Sequence, residues 1–109
     1  MPGVERAVVD AAKVRDYLLS PGHRVGSAKA RFFTQLGFGA RNWEFLRDEL
    51  LRLAQGNAET AGTNRFGQKY VVLGTIQGPA GQSASVVVVW IVLHEEEMPR
   101  FVTAYPGAK

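Results

Sequence analysis

The sequence contains no cysteine among its 109 residues. This absence excludes disulfide bonds, thiolate metal sites and a thiol nucleophile. Its two histidines, His23 and His94, are too few for a histidine-rich metal centre. We therefore expect no metal and no other cofactor, so that any chemistry comes from amine, guanidinium, hydroxyl, carboxylate or imidazole groups.

Long apolar runs are missing as well. The stretch "SVVVVWIVL" at 85–93 is too short to span a bilayer. The first ten residues, "MPGVERAVVD", lack the basic segment and apolar run of a signal peptide. We expect a cytoplasmic protein without a membrane partner.

Signatures of common enzyme sites are also absent. There is no phosphate-binding glycine loop, no serine elbow and no paired-histidine metal motif. The composition is ordinary for a globular protein, with 46% hydrophobic and 21% charged residues, and no stretch resembles an interdomain linker. We therefore expect one domain over residues 1–109, with any site formed by single residues that the fold brings together.

Three helices are predicted in the first half of the chain, because apolar residues recur there at helical spacing. The first begins after Asp10, an N-cap residue. The second has Ser27 as its N-cap and ends at Gly37, and the third has Asn42 as its N-cap and ends at Gly56.

Strands are predicted in the second half, where β-branched residues and glycine-containing turns take over. A weak strand around 59–63 is followed by a hairpin of "QKYVVLGTIQ" and "SASVVVVWIVL" and by a last strand, "RFVTAYP". Both hairpin strands are largely apolar on both faces, so we expect them to be central. The order of elements predicts an α+β domain, with about three N-terminal helices packed on one face of a four-stranded antiparallel meander sheet.

The net charge of +3 is small, but the charge is unevenly distributed. Between Lys13 and Arg31 the chain carries five cations against Asp16 alone, namely Lys13, Arg15, Arg24, Lys29 and Arg31. Acid collects instead in "HEEE" at 94–97. The N-terminal third is therefore the basic part of the chain, which would suit a polyanionic partner.

Two residues of this basic region are candidates for chemistry. His23 lies in a turn, where an imidazole can exchange protons near neutral pH, although a surface histidine in a Pro-Gly turn is the alternative. Lys29 is placed in the first turn of the second helix, where its charge and the helix dipole would both attract a phosphate. The alternative for Lys29 is an ordinary solvated lysine.

Further candidates are polar residues near the predicted sheet. Strand alternation puts Thr103 on one face with Phe101 and Tyr105, where its hydroxyl could bond a phosphate; strand propensity alone would also explain it. Arg31 and Lys69 are candidates for substrate binding. Arg31 ranks below Lys29, because two residues along a helix rotate a side chain well away.

Five stretches together resemble a family of small bacterial domains of unknown function, which occur alone or attached to phage and secreted proteins. The resemblance runs from about Lys13 to Pro106. It is carried by "PGHRVGSAKARFFTQLGF", "NWEFLRDELL", "GQKYVVLGTIQGPAG", "VVVVWIV" and "PRFVTAYP".

The chain is also similar, more distantly, to the superfamily of barnase, EndoU, colicin-type and RelE-type ribonucleases, through its last strand "RFVTAYP". That similarity implies metal-independent RNA cleavage, in which a base takes the proton from the 2′-hydroxyl and cations stabilise the developing charge. It implies His23 as the acid-base residue, Lys29 as the phosphate-stabilising cation and Thr103 as a hydrogen-bonding residue. Tyr105 would help to orient the substrate.

Two functions therefore stay open at the level of sequence. One is a toxin-like ribonuclease domain whose partner is RNA. The other is a non-catalytic module, whose basic surface binds a protein partner such as a toxin neutraliser or a phage structural protein.

Overall fold

A computed structural model describes residues 1–19 and 27–107. Its helices and strands follow one another in the order that the sequence predicts. The helical segments are a 3-10 turn (Val4–Arg6), α1 (Ala11–Lys13) continued by a π-helical turn (Val14–Leu18), α2 (Ser27–Gln35), a 3-10 turn (Ala40–Asn42) and α3 (Trp43–Leu53). The strands are β1 (Ala58–Thr63), β2 (Gly67–Gln77), β3 (Ser83–Leu93) and β4 (Pro99–Pro106). They pair antiparallel in the order β1-β2-β3-β4, so the α+β meander is confirmed and β2 and β3 are central.

Helix ends depend on side chains that bond to the backbone. The Asp10 carboxylate accepts a hydrogen bond from the backbone N of Ala12 at 2.9 Å, which confirms the predicted cap of α1. Asn42 precedes α3, but its side chain does not cap that helix. It accepts from the backbone N of Gly39 at 2.6 Å and donates to the carbonyl of Gly37 at 3.1 Å. Asn42 therefore closes the connection between α2 and α3.

The hydrophobic core lies between the helices and one face of the sheet. Its fully buried large side chains come from both layers and include Val14, Phe33, Phe38, Leu46, Leu50, Val72, Ile76, Val86, Val88 and Trp90. Trp90 meets the ring of Phe101 edge-on, with 5.8 Å between centroids. Burial of such side chains contributes about 1.5–3 kcal/mol each. Among the residues described, no helix has the length and apolar content needed to cross a membrane.

The opposite face of the sheet is referred to here as the open face. Direct partners in antiparallel strands point to the same side. Val89 is paired with Thr103, and Val87 with Tyr105. Both valines alternate with the buried residues of β3, so all four side chains belong to the open face. The side chain of Tyr105 is 39% exposed there.

A one-residue irregularity in β4 changes which residues share a face. Val89 pairs with Thr103 whereas Trp90 pairs with Phe101, so Val102 is an extra residue in β4, as in a β-bulge. Phe101 is buried beside Trp90, and Thr103 belongs to the open face. The prediction that Phe101, Thr103 and Tyr105 share one face is therefore wrong for Phe101, because an extra residue reverses strand alternation.

Helix α3 covers the part of β2 that lies beyond the pairing with β1, which ends at Val72. Arg52 donates to the carbonyl of Thr75 at 3.0 Å, and Glu49 accepts from the backbone N of Gln77 at 2.8 Å. Arg52 and Glu49 also bind each other through two hydrogen bonds of 2.9 Å. This ion pair satisfies backbone groups that would otherwise form an open sheet edge.

We expect Glu49→Gln to lower the free energy of unfolding by about 1 kcal/mol at neutral pH. The hydrogen bonds from Arg52, and also the one from the backbone N–H of Gln77, hold the pKa of the Glu49 carboxyl below its ordinary value, against the opposing effect of burial. A lowered pKa stabilises the fold above the unfolded pKa, and this stability is lost as pH falls through the folded pKa. The difference in free energy of unfolding between wild type and Glu49→Gln, measured by urea denaturation, should therefore become smaller from about pH 5 to pH 3.

The matched control is Asp48→Asn, one residue earlier on the exposed side of α3. In the described part of the chain, Asp48 bonds only its sequence neighbour Arg47, with 3.0 Å between Nε and Oδ1. Loss of such an exposed pair should change stability by less than about 0.5 kcal/mol. If the free energies of unfolding of wild type and Glu49→Gln differ by the same amount at about pH 5 and pH 3, the assigned role of the Glu49 charge is wrong.

We expect Gly78→Ala to destabilise the protein by about 3 kcal/mol, near the upper end of the range for overpacking. Gly78 follows β2 and lies against the end of α2, where a Cβ atom would overlap the carbonyl oxygen of Leu36. Backbone, rather than a flexible side chain, would have to move. Chemical denaturation at constant pH measures the loss.

Gly39→Ala provides the comparison for this substitution. The backbone of Gly39 is extended, and the nearest atom to an added Cβ is Oδ1 of Asn42 at 3.9 Å. The free energy of unfolding of Gly39→Ala should stay within about 1 kcal/mol of the wild-type value. Equal losses in the two variants would mean that Gly78 does not make the close approach to α2.

Candidate functional site

Lys29 and Thr103 are brought into direct contact by the fold. The Nζ of Lys29 donates a hydrogen bond to Oγ1 of Thr103 at 3.1 Å, across 74 positions of sequence. Lys29 lies in the first turn of α2, and Thr103 directly follows the extra residue of β4. Both side chains are half-buried. Because α2 packs beside β4, the contact lies at the edge of the sheet, where the helical layer meets the open face.

This contact forms one wall of a cleft of about 490 Å³, which we name the β4-edge cleft. Among the described residues, those that line it come from α1, α2 and β4 and are Ala12, Lys13, Lys29, Val102 and Thr103. Among these five residues are two ammonium groups and one hydroxyl, and no carboxylate. The cleft therefore has the charge expected of an anion-binding site.

The chemistry of the pair favours an anion over a cation. An ammonium group has three hydrogens to donate and no acceptor, so Lys29 cannot serve as a ligand for a metal while it is protonated. The Thr103 hydroxyl accepts from Lys29, which leaves its own hydrogen available to a further acceptor. Within residues 1–19 and 27–107, no group of three or more acidic or histidine side chains is arranged to hold a metal ion.

The other predicted site residues differ in their distance from this cleft. Tyr105 is two residues beyond Thr103 on the same open face. Lys69 pairs with Ile91, which alternates with the buried residues of β3, so Lys69 also belongs to the open face. It lies on β2, however, two strands across from β4. Arg31 is exposed on α2 and does not line the cleft. His23 lies outside the described residues.

Lys13 is a cleft residue that sequence reasoning did not single out. It stands in the basic N-terminal third, but its position relative to Lys29 depends on how α1 is attached to the sheet. Val8 makes that attachment through a parallel bridge to Arg100, with the Phe101 backbone N donating to the carbonyl of Val8 at 2.9 Å. A single bridging residue has no sequence signature, so Lys13 could not be assigned in advance.

The acidic turn at 94–97 is bound to arginines and does not line the cleft. Glu96 accepts two hydrogen bonds from Arg100, at 2.7 and 2.8 Å. These bonds hold the pKa of Glu96 below its ordinary value. Glu97 lies 3.5 Å from the guanidinium of Arg6. Two of the three glutamates of the turn are therefore paired with arginines.

The same fold occurs in a solved structure described as a contact-dependent growth inhibition toxin - immunity protein complex from Klebsiella pneumoniae 342. The chain is similar to one of its chains with a TM-score of 0.72 and 18% sequence identity, over 97% of each chain. At this level of identity the likeness shows a shared fold. No protein of curated function matches the chain in sequence.

A family model provides a further comparison, and it spans nearly the whole chain. It matches residues 1–108 and is described as a domain of unknown function, DUF6883. The match agrees with the resemblance noted from the sequence to a family of domains of unknown function. The chain therefore belongs to the DUF6883 family.

Proposed function

We propose that this domain is a toxin-like ribonuclease that binds an RNA phosphodiester in the β4-edge cleft and cleaves it without a metal ion. The observation that carries the proposal is the contact of 3.1 Å between Lys29 and Thr103. It joins two donors, an ammonium and a hydroxyl, at an edge that Lys13 makes more positive. The similarity in fold to a chain of a toxin–immunity protein complex supports a toxin-like role.

The reaction is an intramolecular phosphoryl transfer. A base removes the proton of a ribose 2′-hydroxyl, the 2′-oxygen forms a bond to the adjacent phosphorus, and the bond to the 5′-oxygen breaks. An acid returns a proton to the leaving oxygen, which yields a 2′,3′-cyclic phosphate and a 5′-hydroxyl. We assign the proton transfers to His23, because an imidazole group can both accept and donate a proton at physiological pH.

Lys29 and Thr103 act on the charge that develops during this step. Negative charge grows on the non-bridging phosphate oxygens as the phosphorus becomes five-coordinate, and donors that are already in position stabilise it. Loss of one such donor costs about 10²–10³-fold in rate in other enzymes. Lys13 contributes to binding through its charge and is not required to move a proton.

Cleavage of RNA by purified protein tests these roles. Lys29→Met and Thr103→Val should each lower the cleavage rate by about 10²-fold, because each removes one donor to the phosphate. His23→Ala should abolish cleavage. Gel analysis of end-labelled RNA, with identification of the 2′,3′-cyclic phosphate product, gives the rate and the chemistry together.

Arg41→Met is the matched control, since it removes an exposed cation from the 3-10 turn before α3 and outside the cleft. It should cleave as wild type does. Equal cleavage by the wild type, Lys29→Met and Thr103→Val would refute the assigned roles, as would no cleavage by any protein that is folded by circular dichroism.

A second candidate function is a non-catalytic module that binds a protein partner. The observation in its favour is that the similar solved chain belongs to a complex of two proteins. A partner with an acidic surface would complement Lys13 and Lys29 in the β4-edge cleft.

This alternative makes its own prediction. The product of the adjacent gene, when co-expressed, should form a complex that survives gel filtration, and Lys13→Glu with Lys29→Glu should weaken it by at least about 10-fold through charge repulsion. The RNA assay should then show no cleavage at any salt concentration. A complex that is unaffected by the double substitution would place the partner elsewhere on the domain.

A further inference from the structure

Tyr105 is an exposed aromatic residue close to the β4-edge cleft. It is two residues beyond Thr103 on the open face, which places the two positions about 7 Å apart along the strand. Its side chain is 39% exposed, although it is a large aromatic residue. A nucleotide whose phosphate contacts Thr103 therefore has an aromatic ring within reach of a neighbouring base.

The surroundings of Tyr105 are apolar. Tyr105 pairs with Val87, and Val87 pairs with Leu73, so the three residues form one row across the open face, here named the Tyr105 row. Leu73 is 63% exposed. Among the described residues, four large hydrophobic side chains are exposed, and two of them belong to this row. The row presents an apolar surface without charge, which is suited to the flat face of a base.

Positive charge borders the Tyr105 row. That charge lies at the β4 edge, where Lys13 and Lys29 line the cleft. On the open face itself, Lys69 lies two rows away and is offset by Glu59 of β1, which lies one row away as the partner of Val71. This arrangement complements a polyanion that carries flat apolar groups. A second copy of the chain fits less well, because it would bring the same lysines together.

The substrate that fits these features is single-stranded. In an RNA duplex the bases are stacked on one another, whereas single strands present unstacked bases to aromatic side chains on open sheets. We propose that the domain binds single-stranded RNA, with the phosphate in the β4-edge cleft and an adjacent base stacked on Tyr105. The proposal rests on the ribonuclease function proposed above and specifies its substrate.

The test compares one labelled RNA of about 20 nucleotides as a single strand and annealed to its complement. Wild type should cleave the single strand at least about 10-fold faster than the duplex, because only the single strand offers a base to Tyr105. Tyr105→Leu keeps the residue apolar but removes the aromatic face. It should lower kcat/KM on the single strand about 5- to 100-fold, mainly through KM, whereas Tyr105→Phe should retain most of it.

Phe66→Leu is the matched control. Phe66 is also an exposed aromatic residue, at 58%, but it lies in the turn before β2 and away from the cleft. This variant should cleave as wild type does, and circular dichroism should show all three variants folded. Fluorescence anisotropy with an uncleavable 2′-O-methyl single strand gives a second readout, which is independent of catalysis.

The outcomes separate this inference from the proposed function. Equal cleavage of single strand and duplex, or equal activity of Tyr105→Leu and Phe66→Leu, would overturn the inference and leave the ribonuclease standing. Tyr105-dependent binding of the uncleavable strand without cleavage of RNA would support the inference and refute the ribonuclease. Unchanged RNA binding by Tyr105→Leu, together with weaker binding of a co-expressed protein, would overturn the inference in favour of a protein contact.

Discussion

The candidate site depends on one extra residue in β4. Phe101 and Ala104 are both buried, although they are three positions apart, because Val102 interrupts the alternation between them. Without that residue, a strand that buries Phe101 would also turn Thr103 towards the core. With it, Thr103 comes to the open face at the sheet edge, where Lys29 reaches its hydroxyl. The bulge thus keeps β4 anchored in the core while it presents a polar group at the surface.

The exposed edges of β2 and β4 are covered by different groups. On β2, the positions beyond β1 are covered by the ion pair of Glu49 and Arg52, whose charged groups form hydrogen bonds with the backbone of β2. On β4, the bridge from Val8 covers the beginning of the strand. The part that follows is bordered by the lysines of α1 and α2.

Sequence patterns were sufficient for most of the fold. Apolar residues at helical spacing, glycine-containing turns and two long β-branched runs predicted the three helices and the meander, because each is a local signal. Lys29 and Thr103 were separate candidates from residue type and from the ribonuclease resemblance, and their contact is visible only in the structure. The face of Phe101 relative to Thr103 was predicted wrongly, since one added residue in a strand leaves no mark in composition.

The sequence by itself determined the order of helices and strands, the central place of β2 and β3, and the concentration of cations in the N-terminal third. These properties follow from spacing, propensity and charge, which act over a few residues. Only the tertiary structure decided that Lys13 joins Lys29 in a cleft, that Asn42 closes a loop instead of capping α3, and that Tyr105 borders the site. Each of these depends on the packing of segments far apart in the chain, where a shift of one residue changes which side chains meet.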